Sequence, residues 1–122
     1  MATIAPTVLD VSKKQNGGCL LVTWASIANA DTVTPIDMAE YGDKSVQVDG
    51  TFGGTSVGLQ GSNDGTNYYA LRDPSSTAIA ITAAGSKAVL ENTRYVKPVL
   101  TGGAASTITV TLLCRLAQPL RT

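Results

Sequence analysis

The chain has 122 residues, with nine basic and nine acidic side chains, so its formal net charge is zero, and 43% of its residues are hydrophobic. This length fits one domain that can bury a core without metals or cross-links, and the hydrophobic content is too high for a disordered chain. Histidine is absent, which removes the commonest general base and metal ligand and makes a Ser-His-Asp or Cys-His arrangement impossible. We therefore expect a protein that is not an enzyme and has no cofactor.

Charged residues are scarce, at 15% of the chain compared with about 25% in a typical soluble domain. Small residues (Ala, Gly, Ser and Thr) take their place, which favours a protein whose surface is covered by neighbours. No basic stripe exists, so we expect no nucleic-acid partner. No apolar run approaches the ~20 residues that span a bilayer, and residues 1–9 have no basic segment before an apolar one. We expect neither a membrane segment nor a signal peptide.

Short segments of β-like composition and alternation follow one another along the chain. They lie at residues 7–11, 19–24, 32–41, 44–50, 55–61, 68–71, 78–82, 87–91, 94–100 and 107–116. Turn-forming sequences such as Gly53-Gly54 and residues 62–67 separate them. This pattern predicts an all-β single domain over residues 1–122, a β-sandwich or jelly roll with about eight to ten short antiparallel strands. Residues 1–14 are either an extended N-terminal arm or an ordinary first strand, and residues 118–122 form a loose tail.

Two cysteines and one tryptophan lie in apolar runs. Cys19 precedes Leu-Leu-Val and Cys114 follows Leu-Leu, so we interpret both as buried thiols. A disulfide between them is the alternative. Trp24 is expected in the core.

The polar residues on either side of the predicted strand at residues 68–71 are a candidate calcium site. Asn63, Asp64, Asn67 and Asp73 offer the hard oxygens that Ca²⁺ prefers. The same residue types are also those that a tight turn requires, so a turn without metal is the alternative. Gly-rich pairs elsewhere match no phosphate-binding motif.

Five apolar or aromatic residues are candidates for protein contacts. Val8, Leu9 and Val11 would anchor the N-terminal segment if it adds a strand to a neighbour's sheet. Tyr68 and Tyr69 point to opposite faces if they lie in a strand, so one is expected in the core and the other at the surface or in a contact.

Several segments together resemble small structural proteins of tailed phages. They are residues 45–54, 57–68, 89–98 and the Gly102-Gly103 loop before the Thr-rich last strand. The resemblance covers about the last two-thirds of the chain and is closest in size to the jelly-roll cement or staple proteins of phage heads. It implies a capsid decoration protein, made in the host cytoplasm and located on the virion surface. Its partners would be the major capsid protein and a second copy of itself, as a dimer rather than a trimer. Another virion part (neck, tail or head fibre) is the alternative.

A second resemblance is to discoidin-like jelly rolls, which share a Ser-x-Asp-Gly-x-x-Tyr type segment and a late Arg-Tyr-Val strand with residues 62–68 and 94–96. It supports a sandwich and implies a carbohydrate-binding adhesion module as a further alternative. The expected burial of Trp24 argues against that alternative, because sugar sites usually display aromatic platforms.

Overall fold

The fold is known from a computed structural model, which describes residues 3–13, 18–103 and 106–116. In these residues the chain forms strands and no helix, so the all-β prediction is confirmed. The strands are β1 (Thr3–Ile4), β2 (Thr7–Asp10), β3 (Cys19–Ile27), β4 (Thr32–Val33), β5 (Ile36–Asp37), β6 (Tyr41–Thr51), β7 (Ser56–Ser62), β8 (Tyr69–Ala70), β9 (Gly85–Val89), β10 (Tyr95–Thr101) and β11 (Thr107–Leu116). The predicted tail at residues 118–122 and position 14 of the predicted arm lie outside the described residues.

The strands form a jelly roll. One sheet has the order β2-β3-β11-β6-β9, the other has the order β5-β10-β7-β8, and β1 and β4 form a small parallel pair. Apart from β1, β2 and β4, eight strands remain, and they pair from the outside of the sequence inward. The pairs are β3 with β11, β5 with β10, β6 with β9, and β7 with β8. All four pairs are antiparallel. This nested pairing is a long two-stranded ribbon rolled into two facing sheets, as in double Greek-key jelly rolls.

Alternating apolar residues build the core between the two sheets. In β11 the even-numbered residues Ile108, Val110, Leu112 and Cys114 are buried, because successive side chains of a strand point to opposite faces. The same alternation buries core residues in three other strands: Val22 and Trp24 of β3, Val46 and Val48 of β6, and Val57 and Leu59 of β7. Trp24 is fully buried and its Nε1 donates a hydrogen bond to the Thr34 carbonyl at 2.8 Å, which confirms its predicted place in the core.

A glycine turn moves the chain from one sheet to the other. Gly53 and Gly54 have φ values of 55° and 85°, and the Thr55 amide donates to the Phe52 carbonyl at 2.8 Å. Two consecutive positive φ angles are the conformation that favours Gly-Gly in two-residue turns. The predicted turn is confirmed, but β6 and β7, which it connects, lie in different sheets and are not a hairpin.

The five-stranded sheet is wider than the four-stranded sheet, so β2 overhangs. All four residues of β2 are exposed although the strand pairs with β3 over its whole length. Residues 7–10 are therefore the first strand of the large sheet, the second of the two alternatives for residues 1–14. Thr3 and Ile4, which precede β2, pair in parallel with Thr32 and Val33. The strand β1 therefore belongs to the same domain.

Three predicted strands are shorter than expected. Residues 32–41 form only the two-residue strands β4 and β5 before β6 begins at Tyr41. In residues 78–82 only isolated bridges form, Ala78 to Arg72 and Ile81 to Val57, because the two ends of the segment bond to different partners and no continuous ladder develops. The strand predicted at residues 68–71 is reduced to Tyr69–Ala70.

Candidate functional site

The polar loop after β7 is organised around one carboxylate. Asp64 Oδ1 accepts hydrogen bonds from the hydroxyl of Ser62 and from the amides of Thr66 and Asn67, at 2.8–2.9 Å. Its Oδ2 accepts a hydrogen bond from Asn67 Nδ2 at 3.0 Å. These bonds hold the pKa of Asp64 far below its usual value, and the bonds from the backbone amides of Asn67 and Thr66 have the largest effect. The carboxylate thus stays ionised and closes the turn.

The four candidate calcium ligands are only partly brought together. Asn63, Asp64 and Asn67 line one cleft, and Asp73 is absent from its lining. Asp73 Oδ1 instead accepts from the amides of Ser75 and Thr77, at 2.9 and 3.2 Å. In the described part of the chain, no three His, Cys, Asp or Glu residues converge as a metal site. Hydrogen bonds within the two turns hold Asp64, Asn67 and Asp73, Asn63 accepts the Arg94 amide, and calcium binding stays a prediction.

The cleft beside this loop has a volume of about 350 Å³. Its walls are the end of β7, the residues around β8 and the segment before β10. Sequence reasoning missed two of its charged residues, Arg72 and Glu91. Glu91 accepts hydrogen bonds from the Arg72 amide at 2.7 Å and from Arg72 Nε at 2.6 Å. These bonds lower the pKa of Glu91, and the bond from the Arg72 amide has the largest effect. No local pattern predicts this ion pair, because the two residues are 19 positions apart.

The two tyrosines differ sharply in environment. Tyr69 is 72% exposed at the cleft. Tyr68 is half-buried, with the Lys97 ammonium 4.5 Å from its ring centroid. The prediction that one of them lies in the core is wrong, because the chain here is at the edge of the smaller sheet and neither ring points between the sheets.

The N-terminal contact candidates lie on the overhanging strand. Val8 is 49% and Leu9 is 57% exposed, whereas Val11 is half-buried. In the register of the sheet, Val8 is opposite Val22 on the core side and Leu9 is opposite Leu21 on the outer side. Since no strand of the smaller sheet covers β2, both of its faces are accessible.

Leu9 continues an apolar row across the outer face of the large sheet. Leu9 pairs with Leu21, and Leu21 pairs with Leu113. We call these three residues the leucine row. The next row is Thr7, Thr23 and Thr111 by the same register. The sequence signal was present: residues 19–22 and 112–114 are apolar at consecutive positions, so they supply apolar side chains to both faces. The prediction that these runs are buried strands did not identify Leu21 and Leu113 as outer-face residues.

The two cysteines point to opposite faces of this sheet. Cys114 pairs with Leu20, and Cys19 pairs with Arg115. Residues that are opposite one another share a face, and Cys19 follows the outer parity while Cys114 is fully buried. Both thiols are free. The burial prediction is confirmed for Cys114 and wrong for Cys19, which is only half-buried because it faces outward near the end of β3.

Comparisons with known proteins identify no family for this chain. No family model matches the chain, and no curated protein matches it. Among solved structures, the chain is similar to a carbohydrate-binding module (CBM6cm-2) from Cellvibrio mixtus lichenase 5A, in complex with cellotriose. The identity is 14%, the alignment covers 90% of this chain and 82% of that chain, and the TM-score is 0.22. Within the described residues, no helix is long and apolar enough to cross a membrane.

Proposed function

We propose that this chain is a capsid decoration (cement) protein of a tailed bacteriophage, which binds the outer surface of the head and bridges major capsid protein subunits. The observation that supports it most directly is the leucine row on the outer face of the large sheet, with an accessible edge strand beside it. A solvent-facing sheet normally alternates apolar residues inside with polar residues outside. Here Leu9, Leu21 and Leu113 occupy the outer side.

The composition of the surrounding surface supports the same proposal. The leucine row is flanked by the threonine row and, on β6, by Ser45 and Gln47, which pair with Leu113 and Thr111. None of these side chains is charged, so a partner can cover this side of the row without desolvating an ion. On its other side the row borders the Cys19–Arg115 pair, whose arginine is exposed and can stay hydrated at the rim of the contact. Interface cores are depleted in charged residues in the same way.

The edge of β2 offers a second means of attachment. Within the described residues, Thr7, Val8 and Leu9 have a strand partner, β3, on one side only, so the other side can accept a strand from a neighbour. The neighbour would be a shell subunit or a second copy of the chain, and a two-fold dimer would place two leucine rows side by side. Because each head carries many sites, modest affinity per copy suffices to reinforce the shell.

Attachment to particles tests the proposal with one substitution and one matched control. Leu9→Asp places a charge in the leucine row, whereas Leu90→Asp places the same charge at another exposed leucine, 46% accessible and next to the opposite edge strand β9. We expect Leu9→Asp to abolish sedimentation with heads that lack the native protein, and Leu90→Asp to sediment like the wild type. Equal binding by both variants would contradict the proposal. Deleting residues 1–14 is less informative, because it also removes β1 and β2 from the fold.

Copy number separates decoration from the alternative virion parts. A shell protein follows the symmetry of the head and is present in hundreds of copies, whereas a neck or tail ring has about six to twelve. Quantitative mass spectrometry of purified virions gives this number. A count near twelve would replace decoration with a neck or tail role.

A further inference from the structure

We propose that the cleft lined by Tyr69, Arg72 and Glu91 is a binding site for a neutral saccharide. This activity is additional to shell attachment and does not depend on it. The cleft lies next to β8, the edge strand of the small sheet. The Leu90 amide donates to the Arg72 carbonyl at 2.8 Å, which places this edge over β9, at the far side of the sandwich from β2. A copy attached through β2 would therefore present the cleft away from the leucine row.

Tyr69 supplies the apolar surface that a sugar ring stacks on. The other tyrosines near this sheet have cations over their rings, Lys97 on Tyr68 and Arg94 on Tyr95 at 4.5 and 4.9 Å. Tyr69 has no such cation within the described residues, and it is the most exposed of the large hydrophobic residues. An aromatic ring that borders a cleft and is open to solvent offers an apolar face that a ligand can cover.

Arg72 and Glu91 supply hydrogen-bonding groups that are already held in place. Glu91 accepts hydrogen bonds from both the amide and Nε of Arg72, so it fixes the plane of the guanidinium. The terminal guanidinium nitrogens have no partner within the described residues, and the Arg72 side chain is 53% exposed. A guanidinium fixed in this way presents two parallel donors to a pair of neighbouring hydroxyl groups, and little side-chain entropy is lost on binding.

The loop on the other side of the cleft is ordered in the same manner. Asn67 donates through Nδ2 to Asp64, and Asn63 accepts the Arg94 amide at 3.2 Å. Each asparagine keeps one half of its amide without a protein partner in the described structure, a carbonyl oxygen on Asn67 and an NH₂ group on Asn63. The cleft therefore combines one aromatic face with spare donors and acceptors of fixed orientation.

Size and charge identify the class of ligand. A volume of about 350 Å³ is at the small end of the roughly 300–1,000 Å³ range of small-ligand sites, which suits one or two sugar rings. The charged residues of the lining are Asp64, Arg72 and Glu91, so the net charge is −1 and sialylated, sulfated or phosphorylated ligands are repelled. The burial of Trp24 no longer argues against sugar binding, because Tyr69 provides the platform instead.

The isolated full chain tests this inference without particles. The probes are immobilised neutral gluco-, galacto- and manno-oligosaccharides, with sialylated and sulfated glycans beside them. We expect binding to at least one neutral series, weakened about tenfold by Tyr69→Ala, the loss expected for one aromatic contact. Tyr68→Ala is the matched control and should change affinity less than about twofold, since Tyr68 is outside the cleft lining. Tyr69 is too exposed for its truncation to affect folding, which a thermal melt verifies.

Three outcomes would overturn the inference. They are the absence of binding to every glycan, binding that Tyr69→Ala leaves intact, and a preference for the anionic glycans. Each is distinguishable from failure of the decoration proposal, because Leu9→Asp should leave glycan binding unchanged and Tyr69→Ala should leave attachment to heads unchanged.

Discussion

Asn29 and Ser106 are 77 positions apart and are joined by two hydrogen bonds. Asn29 Oδ1 accepts from the Ser106 amide at 2.9 Å and from the Ser106 hydroxyl at 2.8 Å. Its Nδ2 donates to Thr55 Oγ1 and to the Gly102 carbonyl, both at 2.9 Å. One side chain thus ties the loop after β3 to the start of β11, to the segment before β7 and to the end of β10.

Removing this side chain should be costly for stability. Ser106 is 4% exposed, so Asn29→Ala removes the shared acceptor of its buried amide and hydroxyl, while Thr55 Oγ1 keeps its bond to the Gly102 carbonyl. We expect a loss of about 2–3 kcal/mol in the free energy of unfolding, measured by urea denaturation. Asn63→Ala is the control, because exposed Asn63 accepts only one amide, and should cost about 1 kcal/mol or less. Equal losses for the two variants would show that the Asn29 network does not hold the loops together.

The strands were predictable where apolar and polar residues alternate along the sequence, because such strands bury one face. β11 begins at Thr107 and ends at Leu116, as the apolar alternation predicts, and β6 contains the predicted segment. The Gly53-Gly54 turn was also predictable, because positive φ angles have a local sequence signal. That this turn connects two different sheets was not, since it depends on which strands pair across the whole chain.

The candidate sites were less predictable, for a related reason. Asp64 was identifiable as a turn carboxylate because its partners lie within three residues. The Arg72–Glu91 pair and the leucine row join residues that only the register of the sheets brings together. The exposure of Tyr69 likewise depends on β8 being an edge strand of two residues, which alternation cannot reveal.

The two thiols should react very differently in the native protein. Cys114 is buried, and burial raises the pKa of its thiol to about 11, so almost no thiolate is present at pH 8. Cys19 is half-buried on the outer face. We expect iodoacetamide at pH 8 to add one label, at Cys19, to the folded protein and two labels in urea. Mass spectrometry counts the labels, and peptide mapping locates them.

The same experiment tests the register of β3 with β11. Cys19 and Cys114 face opposite sides of the sheet, so no disulfide can close without a shift of one residue. An intact mass two hydrogens lower without reductant, or labelling of Cys114 before Cys19, would contradict the register.

Acid should weaken the fold through carboxylates that are hydrogen-bonded in the native state. The pKa values of Asp64, Asp73 and Glu91 are lowered, and the largest cause in each case is a hydrogen bond from a backbone amide. The unfolded chain then binds protons before the folded one does, so the free energy of unfolding falls as the pH drops below about 4. These contributions are fully present at neutral pH and are lost progressively toward lower pH.

Asp64→Asn isolates the largest of these contributions. It removes the charge that four hydrogen bonds stabilise, so we expect the variant to be less stable than the wild type at pH 7 and the difference to shrink at pH 2.5. Urea denaturation at the two pH values measures both. Glu40→Gln, the same kind of change at an exposed carboxylate next to β6, serves as the control. A stability difference for Asp64→Asn that is constant with pH would mean that the turn depends on shape alone.

Lys44 is the one buried cation among the described residues, and its burial predicts an unusual pH dependence. The side chain is 5% exposed and lies opposite Cys114 in the β6–β11 register. Its Nζ donates to Asn92 Oδ1 at 3.1 Å, while desolvation, only partly opposed by Cys114 and Asp43, lowers the pKa of the ammonium. The folded protein therefore releases this proton before the unfolded chain does, and the free energy of unfolding rises with pH as the unfolded value of 10.5 is approached.

Replacing Lys44 by methionine should remove both the desolvation penalty and this pH dependence. Similar volume without a charge to bury makes such replacements neutral or stabilising, so we expect Lys44→Met to be at least as stable as the wild type at pH 7, with an advantage that shrinks by pH 9. The raised pKa of Cys114 acts in the opposite direction above pH 9, but it is present in both proteins and largely cancels in their difference. Lys87→Met is the matched control, because the Lys87 side chain is 41% exposed and its ammonium stays hydrated. Urea denaturation from pH 7 to 9 measures all three proteins, and an advantage of Lys44→Met that grew with pH would show that the buried ammonium stabilises the fold.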